Sequence, residues 1–231
     1  MSKVNDNRNC IAFKLNYCDG GSNDERIGFD GACSYRTRSY NIEKAKHSWC
    51  TNEDCVCYQY WCEDISREEF EEEDYPCTES AFFDYWEMYA GCSYDGANNP
   101  TPRKINGAKS NHLCILTTKS PNMPEKNRFI FAMYLISYIE EDNDAGDCVH
   151  SNKNYRLEFK RNEAKKMKFW KFYQNPNYPN TIKWGSGLFR YFTNDVAVQF
   201  LKMAVEIKKG TSEEKLAKEF LEHYCEIHHI K

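Results

Sequence analysis

Cysteines 50, 55, 57 and 62 fall within thirteen residues of the segment WCTNEDCVCYQYWC, spaced C-x4-C-x-C-x4-C. Four soft ligands this close together can enclose a tetrahedral ion, and thiolates select zinc or an iron–sulfur cluster over hard cations. Cys55 and Cys57 would point to opposite sides of an extended chain, so the site needs a tight turn between them. Cys77 or Cys33 can replace Cys62 as the fourth ligand, and His47 is a weaker substitute. A closed thiolate set with no water-activating Glu or His motif beside it reads as structural zinc, with an iron–sulfur cluster as second choice. The competing reading is a set of free cysteines packed as small apolar side chains.

A second constellation is Glu158-Phe159-Lys160 with Asp147 upstream. It resembles the D…ExK arrangement of Mg²⁺-dependent restriction-type nucleases, in which two carboxylates hold the metal and the lysine assists the attacking water. Gly146, not the usual proline, precedes the aspartate. There is no P-loop, GxGxxG, G-x-S-x-G or HExxH; Gly185-Ser186-Gly187 lacks the third glycine of a dinucleotide site.

The third is residues 154–192, which concentrate cations and rings. Eight Lys/Arg stand between 153 and 171 against two acids, and Trp170, Tyr178, Trp184, Phe189, Arg190, Tyr191 and Phe192 are interleaved or follow. Basic charge among aromatics suits a polyanion whose bases can stack. The alternative is a solvated charged face over an aromatic core.

These residues sit in a chain of 231 residues with net charge −4 and pI near 5.9, so any nucleic-acid site must be local. The charge is asymmetric: residues 1–110 carry 12 Lys/Arg and 20 Asp/Glu, residues 111–231 carry 19 and 15. Nine of the twelve cysteines precede residue 100. An acidic, cysteine-rich region (1–110) and a basic α+β domain (111–231) are therefore expected, as two units or one interleaved domain. The N-terminus lacks an apolar signal core and the longest apolar run, 129–139, is too short to span a bilayer. A cytoplasmic protein without membrane contact is expected, with its cysteines as thiols or metal ligands.

Alternation predicts strands at 10–17 and 155–160, continuous mostly apolar runs predict buried strands at 113–118 and 129–139, and another strand is expected to begin at 26–29. Helices are predicted at 78–90, from Asn162 to a stop at Asn175-Pro176, from a Thr193 or Asn194 cap to Lys209, and from a Thr211/Glu214 capping box to the C-terminus. The eight acids of residues 63–74 form an exposed helix or loop able to dock a basic protein partner. Residues 92–110 read as a boundary or long loop.

The order LCILTT, RFIFAMYLI, YRLEFKRNEAKKMKFWKFYQN and WGSGLFRYF resembles the PUA-like group that includes the EVE and YTH modules, over about residues 111–210. The cysteine-rich front half has no counterpart there. The resemblance implies a curved mixed sheet or barrel flanked by helices, and recognition of a modified, flipped base as in modification-dependent restriction or defence. Trp170, Trp184 and Tyr191 would be the stacking walls, and Lys119, Lys166 and Arg190 the phosphate or base contacts. The function expected is thus non-catalytic nucleic-acid binding, to DNA in preference to RNA. The alternatives are a nuclease using Asp147, Glu158 and Lys160, and a protein-interaction module.

Overall fold

Residues 10–14 are apolar up to a closing lysine and form β1 (Cys10–Lys14), a strand buried on both faces apart from Lys14. The computed structural model describes residues 8–21, 31–73, 76–94 and 99–231; the strand expected at 26–29 lies outside them. After β1 come α1 (Tyr35–Ser39), running on into a π-helical turn, Tyr40–Lys44, then a 3-10 turn, Trp49–Thr51. Helices α2 (Val56–Trp61), α3 (Arg67–Glu72) and α4 (Thr78–Tyr85) follow, then strands β2 (Glu87–Tyr89), β3 (Cys92–Tyr94) and β4 (Pro100–Pro102). The second half holds β5 (Leu113–Thr118), β6 (Phe129–Glu140), β7 (Cys148–Glu158), α5 (Arg161–Ala164), β8 (Phe189–Phe192), α6 (Asn194–Lys208) and α7 (Glu214–Ile227).

The architecture is α+β. Six strands in the order β2-β7-β6-β5-β1-β8 curl into a half-barrel, while β3 and β4 pair apart from it. The sheet is mixed: β1 runs parallel to β5 and antiparallel to β8, and the remaining pairs are antiparallel. A boundary at residue 110 would cut through this sheet, since β1 and β2 come from the acidic half.

Two predicted helices are corrected. Residues 162–175 give no long helix but the single turn of α5, capped by Lys160 rather than Asn162, and a 3-10 turn at Phe169–Lys171; Glu163 closes α5 by accepting from the Lys160 N–H. Met167 and Phe169 are both fully buried. Two residues apart, they would lie on opposite sides of an α-helix, so the chain extends at Lys168 to bring both inside. Residues 78–90 are helical only to Tyr85. Trp86, at φ 55°, reverses the chain, and Met88 and Ala90 then alternate inward around exposed Tyr89.

Three extra residues in β7 change its register: Ser151 faces Ile136 and Arg156 faces Tyr134, so β7 advances five residues while β6 advances two. The bulge carries Tyr155 onto α7, stacked on His223 at 4.4 Å. Helix α7 is tied to β1 and α6 by its buried Tyr224 hydroxyl, 3.1 Å from the Cys10 sulfur and donating to Asn194 Oδ1 at 2.8 Å. No helix among the described residues is long and apolar enough to cross a membrane.

Candidate functional site

A concavity of about 1810 Å³ takes in the carboxyl ends of the parallel pair β1 and β5. One wall is the basic end of the sheet. Lys14 closes β1, Lys119 follows β5, and Arg128 precedes β6. The opposite wall is the 45–54 segment with His47 and Trp49, and Lys183 and Trp184 come from the loop before β8. Lys14 is held below the usual lysine range, first by burial and then by repulsion from Arg128. His47 is lowered by burial and by Lys14 and Lys119. Glu125, the carboxylate that acts on Lys14, is spent on Arg128, at 2.5 and 3.1 Å, and Glu53, Asp54 and Glu79 line the cleft as well. Among the described residues, neither Lys14, Lys119 nor Lys183 makes an ion pair. Such a gathering of like charges costs free energy unless an anion sits among them.

The nominated base-stacking and phosphate residues divide. Lys119 and Trp184 line the cleft. Trp184, however, is a buried floor residue, 3% exposed, covered by the Arg128 and Arg190 guanidinium groups at 4.9 and 5.5 Å. Trp170 is half-buried in the same ring cluster, edge-on to Phe169 at 5.1 Å. Tyr191 packs against Gly107, where a Cβ would come within 2.9 Å of its ring. Arg190 donates to the carbonyls of Trp184, Ser186 and Phe189, so it builds the 184–190 loop. Lys166 is exposed on the turn after α5 and does not line the cleft. Two rings at the cleft are open to solvent, Trp49 at 42% and Tyr89 at 37% exposed, and Trp49 is the one on the 45–54 segment with His47.

The nuclease constellation is not assembled. Asp147 immediately precedes β7 and Glu158 ends it, opposite Glu140/Cys148 and Ala132 in register, about 25 Å apart at the rise of a strand. Asp147 is buried in a structural role, accepting from the Ile105 N–H at 2.7 Å and pairing with Lys104 at 3.1 Å.

The cysteines are partly gathered. Asp19 accepts from the Ser34 N–H at 2.7 Å and from the Ser34 and Thr37 hydroxyls, which sets Cys18 beside Cys33 with sulfurs 3.0 Å apart. Cys55 and Cys57 share a hydrogen bond at the start of α2, the turn that their spacing required. Cys77 and Cys57 lie near enough to raise the Cys33 thiol, and Cys55 and Cys18 to raise Cys50, which burial chiefly pushes up to about 12. Glu79 borders the group, and its own carboxyl is raised by burial. Cys62 is not among them: it is exposed at the end of α2, beside the Tyr58 hydroxyl. Cys33 and Cys77, the alternative fourth ligands, are in the group, and so is Cys18, which spacing did not single out.

A tighter ligand set went unrecognised in the sequence. Glu87, Cys148 and His150 have ligand atoms within 4.8 Å of one another, which no other group of three His, Cys, Asp or Glu achieves among the described residues. Its signal was Cys-x-His at 148–150, a spacing that puts both side chains on one face of a strand.

No family model, curated protein or solved structure matches this chain.

Proposed function

We propose that the protein binds nucleic acid non-catalytically in the basic cleft, with phosphates on Lys14, Lys119 and Lys183 and a base against Trp49. The observation that carries this reading is the set of unpaired cations converging on one cleft beside an exposed indole. Cations on the backbone and a ring for the bases are the two parts of a single-strand site, and a flipped base of a duplex would need the same two. The stacking surface comes from Trp49 instead of the rings nominated by the PUA-like resemblance. The metal belongs to this reading as well: a zinc on thiolates drawn from Cys33, Cys50, Cys55, Cys57 and Cys77, with Cys18 adjacent, would hold the Trp49 wall in place.

Fluorescence anisotropy with labelled single- and double-stranded oligonucleotides, in the absence of Mg²⁺ and across a salt series, tests it. About three to four phosphate contacts give a slope of log affinity on log salt of roughly −2 to −3 for a single strand. Lys119→Ala combined with Lys183→Ala should reduce that slope by about 1.4. Trp49→Ala should cost about 1–3 kcal/mol if a base stacks there. Lys215→Ala, on exposed α7, should change nothing. Binding that is absent at low salt, or indifferent to the lysine pair, would refute the cleft as the site.

His47 adds a pH dependence. Its free-state value lies below the ordinary 6.5, partly through repulsion from Lys14 and Lys119. A bound phosphate cancels that repulsion and favours the charged ring, so binding takes up a proton. Affinity is therefore expected to rise as pH falls through the range just below 6.5, and His47→Gln should flatten the rise. An affinity independent of pH in the parent protein would show that no anion reaches His47.

A further inference from the structure

We propose that Glu87, Cys148 and His150 form a metal site separate from the cysteine group, suited to zinc or a similar borderline divalent ion, with one coordination position open to an outside ligand. Strands β2 and β7 place Glu87 directly opposite His150 and Tyr89 opposite Cys148. Cys148 and His150, two residues apart, share a face. A thiolate, an imidazole and a carboxylate are the donor set of such an ion and not of Mg²⁺ or Ca²⁺.

The histidine supplies the decisive geometry. Its Nδ1 lies 3.0 Å from Glu87 Oε1, and its Nε2 lies 2.9 Å from Glu140 Oε2. A neutral imidazole has one N–H to give. With Nε2–H donated to Glu140, Nδ1 turns a lone pair toward a carboxylate oxygen, and two acceptors at 3.0 Å need a cation between them. A proton would suffice for that pair alone, but it would not join the Cys148 sulfur, which lies within 4.8 Å of both ligand atoms, to either of them. A metal uses all three. Glu140 then acts as the carboxylate that fixes the tautomer and orientation of a ligating histidine. Tyr138, stacked on the His150 ring at 4.2 Å and 11°, holds the ring plane, and the Tyr89 side chain is hydrogen-bonded to Cys148.

The site is reachable. The Cys148 side chain is buried, but Glu87 is 35% and His150 12% exposed, and Glu87 and Tyr89 also line a cavity of about 480 Å³. Loading the metal breaks the Cys148 S–H bond, releases the proton to solvent and forms the metal–sulfur bond. Three protein ligands leave a tetrahedral ion its fourth position, as in sites that bind water or substrate.

Cobalt(II) titration of the full chain, read by absorption and by metal count after dialysis, tests the proposal. The expected result is an ion with a one-thiolate spectrum that persists in Cys50→Ser but disappears, with one equivalent of metal, in His150→Ala and in Cys148→Ser. Azide should perturb its visible bands through the open position. Glu140→Gln should keep the stoichiometry and weaken affinity about 10–100-fold. Since Cys148 is almost wholly buried and its replacement can impair folding, His150→Ala, at a side chain that reaches solvent, decides. The proposal is overturned if folded His150→Ala takes up as much cobalt as the parent with the same spectrum, or if the parent takes up no cobalt.

Discussion

Lys208→Met is expected to destabilise the protein by about 3 kcal/mol, the lower end of the cost of removing one partner from a buried ion pair. Lys208 is fully buried at the end of α6, with its ammonium 2.7 Å from Glu163 and 2.6 Å from Glu213 and 5.1 Å from the Phe159 ring centre. Methionine fills the same volume but leaves two carboxylates around an apolar end. Glu213, the more exposed of the two, can turn to water, whereas Glu163 is 15% exposed and is held by its cap on the Lys160 N–H at 2.9 Å. That asymmetry sets the estimate at the low end. In a chain of this length the midpoint of thermal unfolding should fall by about 6–12 °C. Adding Glu163→Gln and Glu213→Gln should recover much of the loss, because the cost lies in the unpaired charges more than in the lost pair. Urea unfolding followed by circular dichroism measures both. A single-variant loss below about 1 kcal/mol would mean that water reaches the carboxylates.

The second large effect is expected from removing the zinc proposed for the cysteine group. Structural zinc in small thiolate sites is worth about 10–16 kcal/mol, comparable to the whole stability of a domain. Here the helices of residues 35–72 are short and pack largely on one another: Tyr60 stacks on Phe70 at 4.5 Å, and Arg38 lies over both rings. Such a layer has little core of its own. Stripping the ion with a strong chelator is therefore expected to open residues 31–62 to hydrogen exchange while the buried β5 and β6 keep their protection. Cys50→Ser or Cys55→Ser should reproduce that pattern, and Cys62→Ser should not, because Cys62 stands apart at the end of α2. A brown, sulfide-containing protein would replace zinc by an iron–sulfur cluster in the same place. Unchanged exchange after chelation, with no metal released, would leave the cysteines as packing groups and remove the metal from the argument for the Trp49 wall.

The reach of the sequence differs between elements for physical reasons. Strands β1, β5 and β6 and helices α6 and α7 were readable because each carries its own local signal: β5 is a short, mostly apolar run buried at every residue, and Phe220 and Tyr224 share one stripe of α7. The segment after β7 was misread because its lysines and rings fit a helical pattern locally. Burial of both Met167 and Phe169 overrode that pattern, and Trp86 ended α4 early in a conformation that no nearby residue signals.

The candidate sites divide in the same way. The sequence alone determined the chemistry available: soft sulfur ligands crowded into the front half, cations and rings in the back half, and an α+β composition to carry them. Only the tertiary structure decided which of these residues meet. Pairing β1 beside β5 brings Lys14 to Lys119, from opposite halves of the chain, in a cleft that Trp49 also lines. The length of β7 separates Asp147 from Glu158. The pairing of β2 with β7 puts Glu87 against Cys148 and His150 across some sixty residues of chain. Long-range strand pairing is set by the summed burial of whole faces and not by any one residue, so local spacing carries no record of it.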